Sequence, residues 1–261
     1  MTGASTRQMQ GHTLDAFHRG DFFLVQPKDS GHRAGIDAMM LAAAVPSSFA
    51  GRLADFGAGA GAAGLAVASR CPDASVVLVE NAPEMALFAE RTLALPENAR
   101  LAGRASLLVA DVTLAGHARS QAGLADRSFD YVVMNPPFNA ACDRPTPDIL
   151  RQQAHVMQDG LFEAWIRSAT AVTRPRSGLA VIARPTSLAA ILAALDGRFG
   201  SPEILPLHPR ADAPAIRIVV RAKRASRGAL SLMPPLVLHD GDGFSPRAAS
   251  ISNGRTSLFG D

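Results

Sequence analysis

Continuous apolar runs alternate along the chain with stretches in which apolar side chains return every three or four positions. FFLVQP stops at Pro27 and reads as a short strand, and GIDAMMLAAAV carries the helical return and closes at Pro46. From there the two signals take turns. GRLADFG, ASVVLVE, ASLLVAD, FDYVVMN and GLAVIARP read as strands. GAAGLAVASR, PEMALFAERTLAL, DGLFEAWIRSATAV and SLAAILAALDGRF read as helices, with Pro83 in an opening turn and Ser187 as an expected N-cap. Strands that are apolar throughout, instead of alternating, are covered on both faces. The pattern therefore predicts a doubly wound, mostly parallel α/β sheet. IRIVVRAK and LMPPLVL lack intervening helices and predict an antiparallel C-terminal edge.

The same pattern divides the chain. Residues 1–20 read as a flexible arm and 21–261 as one domain, with a covering segment at 21–50, a core at 51–225 and an extension at 226–261. The segment 140–160 shows no period and reads as a loop able to cover a substrate. No internal repeat is visible. No apolar run is long enough to cross a bilayer, and the polar start lacks a secretory h-region. Cys71 and Cys142 have neither zinc nor disulfide spacing, which predicts no metal site and fits a reducing cytoplasm.

The net charge of +3 rests on arginine, because Lys28 and Lys223 are the only lysines. A GC-rich genome gives that bias without a nucleic-acid partner, and a modest basic excess is equally compatible with one.

The chemistry gathers at two places. LADFGAGAGAAGLA joins a strand end, a glycine-rich turn and a helix start, which is where backbone comes closest to a ligand in such sheets. Gly59, Gly61 and Gly64 fit a dinucleotide fingerprint, with Glu80 at the tip of the next strand, and so admit an NAD-dependent oxidoreductase. In another register Asp55, Gly57, Ala58, Gly59 and Gly61 resemble motif I of class I S-adenosylmethionine methyltransferases. That resemblance implies that Glu80, followed by Asn81, takes both ribose hydroxyls. It places Asp111, followed by Val112, at the adenine amino group. A carboxylate suits a ribose diol because it accepts two strengthened hydrogen bonds, and it repels a 2′-phosphate.

The second place is Asn135-Pro136-Pro137-Phe138, directly after the strand FDYVVM. It resembles motif IV of methyltransferases that act on amino or amide nitrogens. Such a nitrogen is planar and attacks poorly, so its two N–H groups need fixed acceptors. The Asn135 side-chain oxygen and the Pro136 carbonyl supply them, proline stiffens both, and Phe138 can stack on a planar acceptor. The alternative is a rigid turn with no chemistry.

Together FFLVQPKDSGHRAGIDAMMLAAAVP, DFGAGAGAAGLAVA, NPPF and HPRADAPAIRIVVRAKR resemble the bacterial tRNA1(Val) adenine-N6-methyltransferase family. The resemblance implies a Rossmann-like class I methyltransferase that uses S-adenosylmethionine on adenine in a tRNA anticodon loop. HRAGIDAMMLA resembles the family's cofactor-closing helix, with Ile36 in place of threonine and Asp37 near the methionine amino group; Asp37 equally reads as a helix-capping acid. Loop bases are splayed out at little cost, and a basic row can track their phosphates. Arg217, Arg221 and Lys223, with Arg224 beyond, form such a row, or else the solvated face of an edge strand. Glutamine in a protein and small molecules stay open as acceptors. Trp165 reads as core, His155 as a polar loop residue, and Cys142 has no task in N-methylation.

Overall fold

The computed structural model describes residues 11–28, 34–137 and 148–261, with side chains from residue 160 onward in the last segment. Strands β1 (His12–Phe17) and β2 (Phe22–Pro27) form an antiparallel hairpin. This corrects the reading of 1–20 as a loose arm for the part that is described: HTLDAF alternates along its length and pairs residue for residue with FFLVQP. Helix α1 (Ile36–Ala43) follows, then β3 (Gly51–Phe56), α2 (Ala62–Arg70), β4 (Ala74–Glu80) and α3 (Pro83–Leu93). Next come α4 (Ala99–Ala102), β5 (Ala105–Val109), α5 (Gly116–Gln121), β6 (Phe129–Met134), α6 (Asp148–Val172), β7 (Thr173–Ala183) and α7 (Leu188–Leu195). The chain ends through β8 (Phe199–His208), β9 (Arg217–Arg224), the two-residue strands β10 (Ser231–Leu232), β11 (Leu236–Val237), β12 (His239–Asp240) and β13 (Gly243–Phe244), and α8 (Pro246–Ser252).

The main sheet has the order β5-β4-β3-β6-β7-β9-β8, with β10 and β11 beside β8. Strands β5, β4, β3, β6 and β7 run parallel to one another, and β9 is antiparallel to both β7 and β8. The antiparallel element β9 thus lies among the C-terminal strands, two positions in from an edge formed by the short β10 and β11. The central strands bury nearly every side chain because both faces are covered. Leu41, Leu65, Leu78 and Ile251 pack on one face, and Phe56, Phe129, Phe162 and Ile166 on the other. Among the described residues no helix is long and apolar enough to cross a membrane.

Two further expectations change. From Asp148 onward the supposed loop 140–160 is the first part of the 25-residue α6, and residues 140–147 lie outside the described residues. Ser187 does precede α7, but after a 3₁₀ turn its hydroxyl caps nothing and is buried without a partner.

Candidate active site

The site lies at the C-terminal ends of the parallel strands. Asp55 pairs with Val133 and Phe56 with Met134, so Gly57 and Asn135 leave the sheet side by side. Gly57, Gly59 and Gly61 have φ of +68°, +57° and +98°, backbone that glycine adopts without cost. At Gly57 space is decisive as well. A Cβ there would lie 2.6 Å from Cη2 of Trp165, so the loop can pass only as bare backbone.

Two cavities meet at Gly57. The smaller, about 90 Å³, is lined by Ala34, Asp55, Ala58, Gly59, Ala63 and Asn135 among others. The larger, about 230 Å³, is lined by Asn81, Asp111, Val112, Pro137, Leu161 and Trp165, with Val79 and Thr113 beside them. Asp55, the Gly57–Gly59 loop and Asn135 are thereby brought together in one lobe, and Asn81, Asp111, Val112 and Pro137 in the other.

Glu80 is buried under the loop between them. Its Oε2 accepts from the Gly59 amide and its Oε1 from the Ala82 amide, each at 2.8 Å. This carboxylate sets the shape of the glycine turn, and each oxygen keeps a second lone pair for a ligand hydroxyl. Asp111, which lines the larger cavity, accepts at Oδ1 from the backbone and hydroxyl of Thr113, both at 2.7 Å. Asp55 is 2 % exposed and accepts from the Gly64 amide at 2.8 Å. Burial pushes its pKa up to about 7, with Glu80 raising it further and the Gly64 hydrogen bond opposing. Gly64 itself serves packing, since a Cβ would meet Leu78 at 2.5 Å.

Asn135 is part-buried and Pro136 fully buried, whereas Pro137 is exposed at the rim. Asn135 Oδ1 is sealed from solvent and has no hydrogen-bond partner among the described residues. A buried acceptor left unpaired costs about 1–3 kcal/mol, so the fold keeps it at a loss that packing does not explain. Phe138 and Cys142 lie outside the described residues, as do the side chain of His155 and its surroundings.

Several expected residues are placed elsewhere. Asp37 does not line the smaller cavity; its Oδ2 accepts from Arg217 Nε at 2.7 Å, and α1 is preceded by Gly35 with no side-chain cap. Gly61 starts α2 and lines neither cavity. The basic row is largely spent inside the protein. Arg217 holds Asp37, Arg221 holds Glu203 and Asp261, and Arg224 donates to the Thr173 carbonyl. Lys223 alone of the four is fully exposed. Conversely, Trp165 is both core, as expected, and a wall of the larger cavity. Helical spacing hid that second task, and its being the sole tryptophan was the one available hint.

The family model for the methyltransferase small domain matches residues 30–160. The crystal structure of a predicted O-methyltransferase from Agrobacterium tumefaciens is 43 % identical. The alignment covers 85 % of this chain and 98 % of that one, with a TM-score of 0.75. M. jannaschii TYW2 in complex with AdoMet shares the fold at 12 % identity over 85 % and 88 % of the two chains, with a TM-score of 0.53. The T. thermophilus 16S rRNA N2 methyltransferase, in complex with AdoMet and guanosine, does so at 19 % over 82 % of this chain and 50 % of its own, with a TM-score of 0.52. Among curated proteins none matches. With the glycine turn, the acids at successive strand ends and the methyltransferase relatives all in agreement, the oxidoreductase reading of the glycines falls away, and the chain belongs to the methyltransferase small-domain family.

Proposed function

We propose that this methyltransferase takes its methyl group from S-adenosylmethionine and transfers it to a planar exocyclic nitrogen, adenine N6 in the anticodon loop of a tRNA. The observation that carries the reading is Asn135 Oδ1 just past the end of β6, buried and without a hydrogen-bond partner among the described residues, in the same lobe as Asp55 and the glycine turn. In this reading Asn81, Asp111 and Val112 of the larger lobe take the adenosine side, Asp55, Ala58 and Gly59 of the smaller the methionine side, and Glu80, which is buried and lines neither cavity, takes the ribose. When bound it supplies an electrophilic methyl group on a positively charged sulfur.

The chain's own residues do the rest. Asn135 Oδ1 accepts one N–H of the acceptor amine and the Pro136 carbonyl accepts the other, which turns the nitrogen lone pair out of conjugation. Two prolines fix both acceptors in advance, so little reorganisation is needed during transfer. The amine becomes more acidic once methylated, and its proton leaves to solvent without a strong base. In this reading Phe138 stacks on the base, Lys223 is the retained phosphate contact, and the protein works in the cytoplasm where tRNA is found.

The name of the A. tumefaciens relative favours a second reading, in which the acceptor is a hydroxyl. A hydroxyl must lose its proton during transfer, and an asparagine cannot take one. The two readings separate by product. Incubating the protein with tRNA and methyl-labelled S-adenosylmethionine, then digesting to nucleosides for mass spectrometry, should place label in N6-methyladenosine. Label in 2′-O-methyl nucleosides would support the second reading. Label found only in protein glutamine or small molecules would overturn the nucleic-acid acceptor.

A further inference from the structure

The end of the sheet opposite the glycine turn gathers cations and leaves most of them unneutralised. Between β6 and β7 the register shifts: Phe129 pairs with Thr173 and Tyr131 with Gly178, so Asp130 alone faces the four residues 174–177. The bulge aims Arg174 and Arg176 outward, and both are exposed. Beside it Gly178 pairs with Lys223 of β9, and Arg224 reaches back to donate to the Thr173 carbonyl. Arg127 stands in the turn before β6, where its amide donates to the Ala171 carbonyl. Five cations thus come together from three neighbouring strands and the turn leading into one of them. The row expected along β9 is replaced by a cluster across β6, β7 and β9.

The carboxylates bordering the cluster are already engaged. Asp130 is held by Arg174, Asp126 by Arg119, and Glu203 and Asp261 by Arg221. Among the described residues Arg127, Arg176, Lys223 and Arg224 have no carboxylate partner. Arg176 and Lys223 converge on one cavity of about 320 Å³. Arg224 is pushed below the usual guanidinium range, first by burial and then by Arg127, with Asp126 opposing. The backbone carries a cost as well. Arg127 has φ of +51° and Arg176 of +69°, the left-handed region that only glycine enters freely. Both side chains are exposed, so neither the strain nor the repulsion is repaid by packing.

We infer that this end of the sheet is a docking surface for the phosphate backbone of RNA, one that holds a part of the molecule remote from the base being methylated and so rests on the RNA acceptor proposed above. β6 is six residues long, which puts the cluster about 20 Å from Asn135. A single nucleotide cannot touch both places, and a folded RNA can. Arginine suits phosphate because its planar fork donates two parallel hydrogen bonds. A lipid surface is the poorer partner, because a shallow membrane contact wants apolar anchors. The exposed large apolar side chains, Leu14, Val109, Ile216, Leu230, Leu232 and Phe244, all lie outside the cluster.

Arg127→Asn and Arg176→Gly both suit left-handed backbone, so the paired variant removes two charges and relieves strain. Its urea midpoint should equal or exceed that of the wild type. Anisotropy titration of the full chain with unfractionated tRNA over a salt series should give a Kd about tenfold weaker and a log–log salt slope shallower by about two. Its affinity for S-adenosylhomocysteine should not change. Wild-type tRNA affinity and slope in the paired variant, with methylation of tRNA intact, would overturn the inference and leave the acceptor reading standing. A lowered urea midpoint would show that the two arginines serve the fold, and would overturn it as well. So would tighter binding of the wild type to phosphatidylglycerol vesicles than to tRNA. A wild-type protein that neither binds nor methylates tRNA would instead remove the acceptor reading, and the inference with it.

Discussion

Gly57 is where the glycine turn, the sheet and α6 come within contact of one another, and Gly57→Ala probes that junction. The added methyl would sit 2.6 Å from Trp165 Cη2, where carbon atoms settle about 3.5–4.0 Å apart. The φ of +68° adds about 1 kcal/mol for any residue with a Cβ. Forcing the ring or the turn aside costs about 1–3 kcal/mol, because the indole is packed into the core and cannot swing into solvent. The sum is about 2–4 kcal/mol of lost stability. Trp165→Leu removes the obstacle, and in that background Gly57→Ala should cost only the backbone share of about 1 kcal/mol. The double-mutant cycle should therefore show a coupling of about 1–3 kcal/mol. Urea denaturation followed by circular dichroism measures it, since Trp165→Leu removes the only tryptophan. Costs that add within about 0.5 kcal/mol would refute the contact between ring and turn.

Other predictions concern titration and the basic strand. His18 sits buried at the hairpin turn with its pKa lowered to about 4, first by burial and then by Arg70. The unfolded chain therefore binds more protons between about pH 6.5 and 4, and stability falls as the pH drops through that window, by about 1–3 kcal/mol. His18→Asn, which tolerates the turn's φ of +47°, should flatten that slope in urea melts. Asp55 acts with the opposite sign. Its folded pKa is raised, so the folded state binds more protons between about pH 4 and 7, and stability is lost as the pH rises through 7. Asp55→Asn should gain about 2–4 kcal/mol over wild type at pH 8 and nothing near pH 4. Arg221→Met leaves Glu203 and Asp261 unpaired and strips the cover of Phe259, at a cost of about 2–4 kcal/mol. The salt dependence of tRNA binding should not change. Lys223→Ser should do the reverse, with unchanged stability and a log–log salt slope shallower by about one.

The parallel half of the sheet was legible because burial on both faces leaves VVLV and YVVM apolar without interruption. The glycine turn and NPP were legible because each combines residue types that few other backbone positions require, positive φ at Gly57, Gly59 and Gly61 and fixed φ at two successive prolines. The hairpin strand HTLDAF was missed because it is half exposed, so its polar positions looked like a tail. Strand β8 was missed because Pro202 and Pro206 interrupt it. They are tolerated where a register shift between Gly200 and Glu203 and the short outer strands relax the demand for a continuous ladder. The basic row was legible as spacing but not as chemistry. The partners that neutralise Arg217 and Arg221 come from Asp37, Glu203 and Asp261, remote in sequence and joined only by the fold. Trp165 shows the same limit, since helical periodicity reports that a side chain is buried and not what lies on its far side.

The account stands on Asn135 holding the acceptor nitrogen. Single-turnover methylation of tRNA by Asn135→Ala, measured beside its S-adenosylhomocysteine affinity, tests that most directly. The account predicts a rate lower by about two to three orders of magnitude, with cofactor affinity changed less than about threefold. A variant that methylates at the wild-type rate, or that loses activity only because it no longer binds S-adenosylhomocysteine, would contradict it.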